Sequence, residues 1–84
     1  MAVRTLVYNF HWIEGRFVTE VWDYTGTFTA GTDTVAAVVP SKGNRNVKSV
    51  RGNFDNYTVS NGAYTFTFSA TVAKPWVSFT SYGR

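Results

Sequence analysis

Few side chains in this sequence can do acid–base or nucleophilic work. There are five carboxylates, Glu14, Glu20, Asp23, Asp33 and Asp55, one imidazole, His11, and no cysteine. Glycoside hydrolysis needs two carboxyl groups on either side of one bond. Glu20 and Asp23 fall on opposite faces of a strand, since side chains alternate with a period of two, so they do not make that pair. Glu14 and Asp33 read as turn or cap residues and Asp55 as the approach to a hairpin strand. His11 and Glu20 share one face of a hairpin in a diagonal relation, roughly 7–8 Å apart. That would be half of a nucleophile–base–orienter set, but the nearest nucleophile is a hydroxyl such as Thr5, and no G-x-S-x-G elbow is present. One His and one Glu also fall short of a metal ligand set. The sequence therefore predicts no catalytic residue, no metal and no cofactor.

Two other groups of residues point to binding. Lys42, Arg45, Lys48 and Arg51 occur with no acidic residue between Thr34 and Phe54, in a chain of net charge +3 and isoelectric point near 9.5. Such a stretch could contact phosphate or sulfate groups, or a single-stranded nucleic acid. Alternation places Lys48 on the other side from Arg45 and Arg51, and +3 is modest, so charges guarding an edge strand are the preferred reading. The aromatic residues are in surplus. Once Tyr8, Phe10, Trp12, Phe17, Tyr57, Tyr64, Phe66 and Phe68 are assigned to a core, Trp22, Tyr24, Trp76 and Tyr82 remain. They fit a second core layer or a protein interface equally well. The interface would be the face carrying Val7, Asn9, His11, Glu20, Trp22 and Tyr24; Trp76 and Tyr82 would suit a glycan platform. Asn56-Tyr57-Thr58 matches a glycosylation triplet and is read here as strand sequence.

The elements that must position these residues are strands. Val3 to Ile13 alternates, placing Leu6, Tyr8, Phe10 and Trp12 on an expected core face. Glu14-Gly15 is expected to turn the chain into Arg16 to Tyr24, with Trp12 opposite Phe17 and Tyr8 opposite Val21. Thr27 to Ala30 reads as a short strand, and Thr34 to Val39 as a strand rather than an Asp33-capped helix. Val47 to Phe54 follows a loop over Ser41 to Asn46. Asn61-Gly62 between alternating runs is the strongest hairpin signal; it predicts Val59 opposite Tyr64 and Tyr57 opposite Phe66. The returning strand is expected to run on to Ala73, and Trp76 to Tyr82 forms the last strand after Lys74-Pro75.

Seven to eight short strands without a helix predict an all-β fold, a small antiparallel sandwich or barrel, with residues 1–84 forming one domain. A chain of 84 residues buries only roughly 63% of its unfolded surface, and without disulfides its stability rests on packing. Charged residues are 15% of the chain and aromatic ones 18%, a profile that excludes disorder. The start of the sequence shows no leader, and no apolar run is long enough for a membrane span, so a soluble protein is expected. Three classes of function are compatible with these features. The favoured one is a non-enzymatic assembly subunit of a larger homo- or hetero-oligomeric particle, such as a virus or phage accessory shell or tail. A carbohydrate-binding module comes next, and a small barrel binding single-stranded nucleic acid last.

Overall fold

The computed structural model describes residues 2–41 and 46–82. Among these residues every regular element is a strand: β1 (Ala2–Arg4), β2 (Val7–Glu14), β3 (Phe17–Asp23), β4 (Thr27–Phe28), β5 (Asp33–Val35), β6 (Asn46–Gly52), β7 (Asn56–Ser60), β8 (Ala63–Thr67), β9 (Val72–Ala73) and β10 (Trp76–Tyr82). The fold is all-β, and its pairings are antiparallel except for β1 with β5. The centre of the molecule is a four-stranded sheet in the order β2-β3-β10-β6.

The last strand in sequence is thus central in space. Val77 and Phe79 on β10 are fully buried, and Ser78 and Ser81 are buried as well. Val77 and Phe79 face a second layer made of the β7–β8 hairpin, the β1–β5 and β4–β9 pairs, and a bridge between Val38 and Tyr64. Leu6, Phe28, Val35, Val38, Tyr64, Phe66, Phe68, Val77 and Phe79 form the core between the layers. Its rings are in direct contact: Tyr64 and Phe79 have centroids 4.9 Å apart, and Phe28 and Phe68 5.0 Å. Each such pair adds about 0.5–1.5 kcal/mol beyond the area it buries, which compensates in part for the small size of the chain. Burial also pushes the Tyr64 phenol up from its ordinary pKa.

The Asn61-Gly62 hairpin has the expected register throughout, from Asn56 opposite Thr67 to Ser60 opposite Ala63. Asn61 and Gly62 both adopt positive φ, 51° and 80°, the signature of a type I′ turn. The first hairpin turns one residue later than expected. Its turn is Gly15-Arg16, with Glu14 opposite Phe17 and Gly15 at φ 60°. The cause is steric: a type I′ turn at Glu14-Gly15 would force a glutamate to positive φ, whereas a type II′ turn asks it only of Gly15. The register is therefore shifted by two, and Trp12 lies opposite Thr19, not Phe17.

Two further expectations are corrected. A bulge between Tyr8 and Phe10 absorbs Asn9 and moves Tyr8 to the other face of the sheet, opposite Trp22. The two faces of the first hairpin are also inverted. Phe10 and Trp12 are exposed, while Val18 and Glu20 are buried and Trp22 packs against the core. The reason is non-local. β3 pairs with β10 so that Trp22 lies beside Val77 and Glu20 beside Phe79, and the apolar side of β10 takes its neighbours inward with it.

Strand β8 ends at Thr67 and does not continue to Ala73. Phe68 is still buried, but the chain then leaves the hairpin, and Val72–Ala73 pairs with β4. Lys74 at φ 56° and the buried Pro75 redirect it into β10. Pro75 has no N–H to lose from the ladder, and its carbonyl accepts from Tyr24 N at 3.0 Å. The expected strand over 34–39 shrinks to β5 and the single Val38 bridge. Its start is held by Asp33, whose carboxylate accepts from Thr29 N at 2.8 Å and lies 3.1 Å from Arg4 Nε.

Candidate functional site: an open aromatic face

Among the described residues nothing covers the face of the four-stranded sheet turned away from the core. Alternation along β2 brings Phe10, Trp12 and Glu14 to it, β3 contributes Phe17, Thr19 and Val21, β10 contributes Trp76, Ser78 and Thr80, and β6 contributes Ser49 and Arg51. Together they line an open groove of about 640 Å³. Phe10 and Trp12 stack along β2 with centroids 5.7 Å apart, and Phe17 stacks on Tyr82 at 5.1 Å. The floor between them is hydroxylic, with Thr19 Oγ1 and Thr80 Oγ1 hydrogen-bonded across strands at 3.0 Å. Aromatic shelves thus surround a polar centre. Arg51 stands on the β6 side and Glu14 on the β2 side. Lys48 Nζ lies 5.2 Å from the centroid of the Tyr82 ring.

The residues singled out as an interface are divided by the fold. Val7, Asn9 and His11 are exposed on β2; Asn9 Nδ2 donates to Asp23 Oδ2 at 2.7 Å, and the Tyr8 hydroxyl bonds to His11 Nδ1. Glu20 has no exposed surface. Its carboxylate accepts from Trp22 Nε1 at 2.7 Å and from Ser41 N at 3.0 and 3.1 Å. Trp22 is half-buried with its ring edge against Tyr8, and Tyr24 lies under the Arg4 guanidinium, 5.7 Å from the ring centroid. Glu20 therefore serves the interior, while Trp22 packs against the core and keeps part of its ring at the surface. The sequence placed a Trp and a Glu together on one face; the structure explains the pairing as a buried acceptor and its donor.

Lys42 and Arg45 lie outside the described residues. Lys48 and Arg51 were expected on opposite sides of their strand, but both approach the aromatic face. An irregularity in the β6–β10 ladder pairs Thr80 with Ser49 and Ser81 with Val47, which leaves Lys48 out of register and beside Tyr82. Trp76 and Tyr82, the expected glycan platform, do belong to this face. Phe10, Trp12 and Phe17 also belong to it, because the alternation that reads as a core face in the sequence is the outer one. The signal that could have found them is the apolar content on both faces of the first hairpin.

His11 and Glu20 are directly opposed across β2 and β3, yet one is exposed and the other buried, and each is engaged by the groups named above. Among the described residues no three His, Asp or Glu side chains converge as a metal site, and no helix is long and apolar enough to cross a membrane. Asp33 and Asp55 are held below the usual carboxylate range. Asp33 owes this first to the Thr29 amide and then to Arg4, and Asp55 to the Ser69 amide and hydroxyl. Both stand away from the aromatic face and serve turns. Comparison with known protein families, curated proteins and solved structures yields no match for this chain.

Proposed function

We propose that this protein is a non-enzymatic assembly subunit that associates with other protein chains along β2 and the adjoining aromatic face. The observation that carries this is the exposure of apolar side chains on both sides of one edge strand. Phe10 is 49% exposed and Trp12 43% on the groove side, and Ile13 is 50% exposed on the other. A sugar or a base seated in the groove would account for Phe10 and Trp12 but leaves Ile13 in water. A strand added along β2 covers both sides at once and satisfies the outer backbone groups. Edge strands that must stay free are usually guarded by Lys, Pro or inward charges. Residues 10–14, Phe-His-Trp-Ile-Glu, contain neither Lys nor Pro.

The test is sedimentation at micromolar concentration combined with amide hydrogen exchange. A species heavier than the 9.4-kDa chain, with slowed exchange at His11 and Ile13, is expected. A monomer whose His11 and Ile13 amides exchange at the open rate would overturn the reading. A second reading, glycan binding, is favoured at the opposite side of the groove, where Trp76 is exposed next to the Ser78 and Thr80 hydroxyls. Titration with soluble oligosaccharides, followed by Trp fluorescence and repeated with Trp76→Ala, tests it; an unchanged signal excludes it.

A further inference from the structure

The assembly reading leaves open which strand β2 receives, and the geometry of β2 is specific on that point. We infer that it is β2 of a second copy, paired antiparallel about a two-fold axis at Trp12; this rests on the assembly reading. The regular part of β2 is bounded by the bulge at Asn9 on one side and the Gly15-Arg16 turn on the other. Between these limits lie residues 10–14, with Trp12 at their centre. A two-residue hairpin closes on a hydrogen-bonded pair, here Glu14 with Phe17, and hydrogen-bonded pairs then alternate along the ladder. The backbone groups of Glu14, Trp12 and Phe10 consequently point to β3, and those of Ile13 and His11 point outward.

A two-fold axis at Trp12 sets His11 opposite Ile13 of the second copy, and Ile13 opposite its His11. The outward donors and acceptors match each other without a gap. Trp12 meets its own copy as a non-hydrogen-bonded pair, the closer kind, with Cα atoms about 4.5 Å apart. Phe10 lies opposite Glu14 of the second copy. The two sheets become one of eight strands, with both aromatic grooves on the same side.

Charge favours this orientation. Glu14 carries the only formal charge in the window. Antiparallel pairing about Trp12 keeps the two Glu14 residues apart by four strand positions, roughly 14 Å, beyond the Debye length of about 10 Å at 0.1 M salt. Parallel pairing in register would set Glu14 beside Glu14. Area sets the strength. Half-exposed rings offer on the order of 100 Å² each, so Phe10, Trp12 and Ile13 cover well under the roughly 800 Å² per partner of a standard interface. The dimer should therefore be reversible and dependent on concentration.

The absence of cysteine makes the register directly readable by single-cysteine variants under mild oxidation. Trp12→Cys should form a covalent dimer at least about ten-fold faster than Val59→Cys, which is exposed on another strand. Phe10→Cys and Glu14→Cys should cross-link when mixed but not separately. Because Trp12→Cys removes a ring from the interface, Ile13→Lys is the second variant. Sedimentation should show its self-association weakened at least ten-fold, with an unchanged circular-dichroism melt. If the protein forms a heavier species but Trp12→Cys cross-links no faster than Val59→Cys, the two-fold pairing is wrong and the assembly reading stands; if Ile13→Lys associates normally, β2 is not the contact and both are overturned. If the unmodified chain is only monomeric, with open His11 and Ile13 amides, both fall.

Discussion

Replacing Trp22 with alanine should unfold the protein before it affects association. Trp22 is half-buried on β3, meets Tyr8 edge-on at 6.0 Å, packs against the core and donates Nε1–H to the buried Glu20 carboxylate at 2.7 Å. Truncating a fully buried Trp costs about 3–5 kcal/mol, and partial exposure places Trp22 at the lower end, near 2–3 kcal/mol. Loss of a hydrogen bond to a charged acceptor adds about 1.5–3 kcal/mol. The two effects together amount to about 3.5–6 kcal/mol. A chain of 84 residues has a total stability on the order of 4–13 kcal/mol, so Trp22→Ala removes roughly a quarter of it or more. Trp22→Phe separates the contributions: the ring stays and the N–H goes, so about 1.5–3 kcal/mol should be lost. Urea denaturation followed by circular dichroism measures both variants. A Trp22→Ala protein with unchanged stability and weakened association would refute this reasoning, because it would return Trp22 to the outer surface.

Phe66→Ala, in the core beside Phe79 with ring centroids 6.0 Å apart, should cost about 3–5 kcal/mol; a thermal melt within a degree or two of the parent would contradict the core assignment. Asp33 and Asp55 titrate below the unfolded value of about 3.9, so the stability they contribute is complete above that pH and is lost as pH falls through their folded values. Thermal melts between pH 7 and pH 2 should show a plateau down to about pH 5 and then a decline. That acid decline should flatten in an Asp33→Asn, Asp55→Asn variant. Lys48 and Arg51 stand beside the aromatic face, but two cations beside the described part of that face neutralise too few phosphates, and they should give no salt-sensitive binding of single-stranded DNA. A titration at low salt showing affinity that Lys48→Gln and Arg51→Gln abolish would reverse that expectation.

Much of the strand content follows from local chemistry. Asn61-Gly62 specifies a type I′ turn by the φ values these residues tolerate, and the clean segregation of Tyr64 and Phe66 from Thr65 and Thr67 leaves that register no alternative. The strand after Pro75 is equally local, because Pro75 ends whatever precedes it and the alternation starts at Trp76. The surplus of rings at Trp76 and Tyr82 likewise marked part of the open face.

Other features were settled only in three dimensions. A period-two pattern defines two faces but does not say which one is covered. In the first hairpin both faces are apolar enough to be core, Phe10 and Trp12 on one, Val18 and Trp22 on the other. The decision comes from β10, more than fifty positions away in sequence from β3, whose Val77 and Phe79 must be buried and whose pairing draws Trp22 and Glu20 in beside them. The bulge that moves Tyr8 across the sheet, and the irregular β6 ladder that brings Lys48 to Tyr82, leave no mark in hydrophobic periodicity. They are fitted to partners supplied by distant parts of the chain, and until those partners are in place the sequence carries both faces as equals.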